Sequence, residues 1–138
     1  MKILREMVRS TTMGMNAIDN VMPYVEDEAL ASLMSEQKEG MNSLLSEAKR
    51  GLSADEIAAA EGGKLGKTVL KASSAISAML NGDTSHLARM LTEGYETGIV
   101  SLQKCINELQ KSHEEVPVSA KELLKTYDKN IRALRKFL

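Results

Sequence analysis

The chain has no tryptophan, one phenylalanine (Phe137), three tyrosines (Tyr24, Tyr95 and Tyr127), two prolines and one cysteine among its 138 residues. An aromatic share of 3% argues against a sheet protein, whose pleated faces favour aromatic and β-branched side chains. The lone Cys105 excludes an internal disulfide framework and points to a reducing cytoplasm. A net charge of -1 excludes global steering toward nucleic acid or an anionic membrane. Apolar runs are short, well under the roughly 18–20 residues that span a bilayer. The start, MKILREMVRS, carries charges at positions 2, 5, 6 and 9 that break any signal-peptide core. The expectation is a soluble, cytoplasmic, single-domain protein over residues 1–138, with neither a nucleic-acid nor a membrane partner.

What the chain does have is helical periodicity. Nine methionines and a 43% hydrophobic share suit a core of aliphatic side chains and thioethers. Leu4, Val8, Met15, Ile18 and Met22 recur in steps of three, four and seven, which predicts a helix over 2–22 that ends before Pro23. Leu30, Met34, Met41, Leu44 and Ala48 predict a second helix over 26–50, stopped by Gly51. The short join makes these two antiparallel. LSADEIAAAEGGKLGK reads as a Gly-bearing connector with room for one helical turn, followed by a helix over 65–80 and a break at NGD, 81–83. Asp83 or Thr84 opens a long helix over 84–110. Ser119, with Glu122 three residues on, has capping-box spacing for a last helix over 119–137. There is no strand candidate and no internal repeat. The reading is all-α: hairpin 1–50, crossover 51–83, hairpin 84–138.

With LKASSAISAMLNGDTSHLARMLTEGYETGIVSLQKCINEL, Pro117 and YDKNIRAL in place, the chain resembles the ferritin-like superfamily, and within it a bacterial ferritin-like family of uncharacterised function. The resemblance implies a four-helix bundle of two antiparallel hairpins with an extra crossover helix. Relatives with di-iron or di-manganese sites need a glutamate from two helices and Glu-x-x-His from the other two, all facing inward. This chain departs from that pattern. His86 and His113 sit at a helix start and in a loop, and Glu-x-x-His does not occur.

Helical phase gives the carboxylates an outward address. The apolar stripe of the long helix is read as Leu87, Leu91, Gly94, Gly98, Leu102, Cys105 and Leu109, which leaves Glu93 and Glu96 toward solvent. Glu36 and Glu39 fall off the stripe of the second helix in the same way. Gly94-Tyr95 stands where the family pattern often has Gly-Glu, so a phenol fills the candidate ligand position. The mid-bundle seam is then a neutral polar layer of Thr11, Gln37 and Tyr127, whose groups must bond one another or trapped water. Gly94 and Gly98 are expected to let two helices approach closely, with Gly14 and Gly40 able to do so in the first hairpin. Met15, Met22, Met34 and Met41 read as core filling and Cys105 as a small buried hydrophobe. The basic residues of the last helix, Lys121, Lys125, Lys129, Arg132, Arg135 and Lys136, read as a solvated face.

The functional expectation is a non-enzymatic ferritin-like bundle with a structural or protein-interaction role, no cofactor, and a homo-oligomeric state such as a dimer. The alternative is a metal-binding or redox protein that holds iron or manganese in an atypical carboxylate site drawn from Asp19, Glu36, Glu39, Glu93, Glu96 and Asp128.

Overall fold

Apolar side chains three and four residues apart place one face of each long helix inward. In α1 (Lys2–Val21) that face is Ile3, Met7, Val8, Thr11, Ile18 and Val21. The computed structural model describes residues 1–62 and 83–138, and all regular structure among them is helical. The helix read over 65–80 lies outside the described residues. Pro23 ends α1 in a 3-10 turn, Met22–Tyr24. Asp27 then caps α2 (Glu28–Arg50) by accepting from the Leu30 amide at 3.0 Å. Gly51 closes α2 with φ at -92°, so its lack of a side chain matters sterically. A Cβ there would lie 2.5 Å from Leu4 Cδ1.

The connector holds more helix than the single turn expected. Ser53 and Glu56 form a reciprocal capping box that starts α3 (Ala54–Glu61). Glu56 also reaches Arg5 at 3.5 Å and the chain's amino group at 3.8 Å, which ties α3 to the start of α1. Asp83 caps α4 (Thr84–Lys111). That helix ends at His113 in the left-handed region, φ 56°, with the Glu114 amide returning to the Leu109 carbonyl at 2.9 Å. Ser119 is not the cap of α5 (Val118–Leu134). Pro117 holds that position without a side-chain bond, and the Ser119 hydroxyl rests 3.9 Å from Met7 Sδ instead. A 3-10 turn, Arg135–Phe137, follows.

Contacts between named residues give the helix directions. Lys38 with Asp19, Met41 opposite Gly14 and Leu4 opposite Gly51 make α1 and α2 antiparallel. Lys2 at the start of α1 bonds Glu108 near the end of α4, so that pair is antiparallel too. α2 packs on α5 and α4 on α5, and α3 covers α1. α2 therefore ends at the pole where α1 begins, and α4 begins at the other pole. The core between them holds Met7, Met34, Met41, Leu87, Leu102, Leu123 and Leu134, each at most 1% exposed. Among the described residues no helix is long and apolar enough to cross a membrane.

Two expectations about packing are corrected. The inward side chain on α4 is Tyr95, 4% exposed, whereas Gly94 lies at the surface. A Cβ on Gly94, or on Gly40 in α2, would meet nothing within 4 Å. Close approach is real at Gly98, where a Cβ would stand 2.8 Å from Tyr127 Cε2 and 3.0 Å from Ser10 Oγ. Gly14 is also tight, 2.9 Å from the sulfur of Met41.

Candidate functional site

Halfway along the bundle the four long helices each contribute polar side chains to the interior. α1 supplies Ser10 and Thr11, α2 Gln37, α4 Tyr95, and α5 Tyr127 and Asn130. Tyr95 donates its hydroxyl proton to Gln37 Oε1 at 2.7 Å, and Gln37 Nε2 donates to the Asn130 carbonyl at 3.3 Å. The Tyr127 and Ser10 hydroxyls share a proton bond of 2.6 Å. The two phenol rings lie 5.4 Å apart at a tilt of 36°, within the range where aromatic pairs attract. The layer thus joins all four long helices through neutral groups.

Thr11 is buried but does not bond across helices. Its hydroxyl donates to the Met7 carbonyl of its own helix at 2.7 Å. Gln37 and Tyr127 sit in the layer, joined by Tyr95, which the sequence offered only as a phenol in the candidate ligand position, while Ser10 and Asn130 escaped the sequence reading. Asn130 lies three residues after Tyr127, one turn along the same face, which was a usable signal. Ser10 carried none, since a serine beside a buried stripe is common on any helix. The Asn130 side-chain nitrogen has no hydrogen-bond partner among the described residues.

Beside the layer runs a groove between α1 and α4 of about 280 Å³, open to solvent. Tyr95 and Tyr127 form its floor, and Gly14, Ala17, Gly94 and Gly98 give it width. At one end Arg9 grips Glu6 through two bonds, 3.0 and 2.8 Å. That hydrogen bond to Glu6 raises the Arg9 guanidinium's hold on its proton. Nearby Cys105 is buried, and burial, with Glu6 adding to it, pushes its thiol up. Such a thiol is a poor nucleophile at neutral pH.

The six candidate carboxylates do not meet. Asp19 is exposed and bonded to Lys38 at 2.6 Å, and Glu36, Glu39, Glu93, Glu96 and Asp128 are exposed on the outer faces of three helices. Among the described residues no three His, Cys, Asp or Glu side chains converge. His86 lies 3.0 Å from the Arg89 guanidinium, and His113 closes the α4 turn.

Burial dominates the chemistry of the tyrosines. It pushes Tyr127 up to about 12, against a partial offset from its bond to Ser10, and raises Tyr95 further. Both are protonated at neutral pH. A raised folded pKa means that their contribution is complete below the unfolded value near 10. It is lost as pH rises through the folded value, because only the unfolded chain ionises in that window. Urea midpoints should therefore fall steeply between about pH 10 and 12, with Tyr127 alone accounting for roughly 2 kcal/mol at the upper end. A Tyr127→Phe protein should lose part of that slope, and an unchanged slope would contradict the burial. No protein-family model matches this chain, and no curated protein or solved structure matches it.

Proposed function

We propose that this chain is a non-enzymatic ferritin-like four-helix bundle, with residues 51–83 as the single long crossover and a structural or protein-interaction role in the cytoplasm of a bacterium. The observation that carries the reading is the chemistry of the middle layer. Where a di-metal bundle needs inward carboxylates and paired Glu-x-x-His, this interior has phenols, an amide and hydroxyls that use one another as partners. Hard divalent cations prefer anionic oxygen ligands, and the six candidate carboxylates here are exposed and spread over four helices. The up-down-down-up directions of α1, α2, α4 and α5, with a connection that must link opposite poles, support the one-crossover topology.

Protein purified without chelator is expected to carry well below one equivalent of iron, manganese or zinc and to oxidise no ferrous iron. Stoichiometric metal that survives dialysis and is lost in Glu36→Ala or Glu93→Ala would replace this reading with a carboxylate-metal protein.

A further inference from the structure

Exposed charge is unevenly shared between α2 and α5: α5 carries Glu122 and Asp128 beside its cations and α2 ends in Arg50, but the minority sign is outnumbered on each helix. Lys121, Lys125, Lys129, Arg132 and Lys136 follow one another along α5 and the turn after it in steps of three and four, so they share one side. That row is about 22 Å long at helical rise. None of the five has a carboxylate within ion-pair distance. This survey covers every aspartate and glutamate, because residues 63–82 contain none. Most cations of α1 and α2 behave differently: Lys2, Arg5 and Arg9 of α1 and Lys38 and Lys49 of α2 each hold a carboxylate, whereas Arg50 at the end of α2 holds none.

α2 presents the opposite sign. Glu28, Glu36, Glu39 and Glu47 are all exposed along about 28 Å of that helix. Between them stand Ser32, Gly40, Ser43 and Ser46, short residues that let another helix come near. Met7 meets Ser119 and Ser10 meets Tyr127, so α5 runs parallel to α1 and antiparallel to its neighbour α2, and an acidic row and a basic row run side by side.

We propose that a second copy of this chain docks here, about a twofold axis parallel to the helices. That operator puts α2 of one copy over α5 of the other, twice, and pairs each basic row with an acidic one. A twofold perpendicular to the helices would set like charge on like. A nucleic acid or an anionic membrane fits less well, because the acidic row of α2 lies one helix spacing, about 8–10 Å, from the basic row. That is within about one Debye length at 0.1 M salt, so it would repel the same polyanion that α5 attracts. A second copy turns that repulsion into attraction. The proposal concerns the outer faces and is independent of what the middle layer does.

Complementary charge reversal tests it. Sedimentation velocity on the full chain should show a dimer at low ionic strength, with at least a tenfold weaker dissociation constant near 0.5 M sodium chloride, where screening is nearly complete. Lys125→Glu/Lys129→Glu and Glu36→Lys/Glu39→Lys should each be monomeric at low salt, with helical circular dichroism unchanged because all four positions are exposed. An equimolar mixture of the two variants should recover a heterodimer. A wild-type monomer at low salt, a dimer that survives either reversal, or failure of the mixture to associate would each overturn the proposal. So would a monomeric wild type that binds DNA or anionic vesicles through the α5 row.

Discussion

Gly98→Ala is expected to lower the urea midpoint, at a cost of about 1–3 kcal/mol, although alanine is the better helix former. The added methyl would stand 2.8 Å from Tyr127 Cε2, 3.3 Å from Cδ2 and 3.0 Å from Ser10 Oγ. None of these is the free end of a flexible chain. The Tyr127 ring is 1% exposed and anchored by its 2.6 Å bond to Ser10, so relief means moving α4 away from both α1 and α5 or breaking that bond. Gly94→Ala, one turn earlier on the same helix, should do the reverse. Its methyl would meet nothing within 4 Å, and replacing glycine in an exposed helix stabilises by roughly 0.5–1 kcal/mol. Glu93→Ala and Glu96→Ala should stay within about 0.5 kcal/mol of wild type, as exposed substitutions usually do. Opposite signs at two glycines four residues apart follow only if Tyr95, and not Gly94, faces inward. Equal signs would show that the phase of α4 is wrong.

The hydrogen-bonded layer makes a prediction of similar size. Gln37→Leu removes the acceptor of the Tyr95 hydroxyl and a donor to the Asn130 carbonyl, and it leaves a buried phenol unsatisfied. Stranding one buried polar group costs about 1–3 kcal/mol. Tyr95→Phe, added to Gln37→Leu, removes the stranded hydroxyl as well and should recover most of the loss, since an apolar pair of similar shape is nearly neutral. The double-mutant cycle should therefore show a coupling energy of about 1 kcal/mol or more. Additive effects would mean that the 2.7 Å contact contributes nothing. Asn130 sharpens the comparison. Its side-chain nitrogen already lacks a partner among the described residues, so Asn130→Leu should cost less than Gln37→Leu despite similar burial, 5% against 4% exposed.

Helix existence was legible in the residues themselves. Apolar steps of three and four mark α1, α2, α4 and α5. Asp83 is a cap by residue type, and Pro23 and Gly51 stop helices for backbone reasons that hold in any fold. The missing Glu-x-x-His needs no coordinates. The burial of Thr11, Gln37 and Tyr127 followed from phase, because each sits amid large apolar neighbours on a well-defined stripe.

Tertiary structure alone decided what the layer bonds to. Glycine 94 and tyrosine 95 both continue the α4 stripe acceptably after Leu91, at three and four residues, and periodicity cannot separate faces 100° apart. The choice is made by what waits inside: the Gln37 acceptor from α2, the Tyr127 ring from α5, and the room that Gly98 leaves beside Ser10. Those partners lie 58, 32 and 88 positions away in the chain from the residue that each one meets, and no local pattern encodes them. Thr11 shows the converse. Its hydroxyl found the carbonyl of Met7 one turn back, since a short side chain on a helix reaches its own backbone before it reaches a neighbour. Local sequence determined which segments are helical and which faces are apolar, because those depend on contacts within a few residues. The pairing of buried polar groups, the direction of α1 against α4 and the groove between them depend on distant partners, and only the packed bundle brings those together.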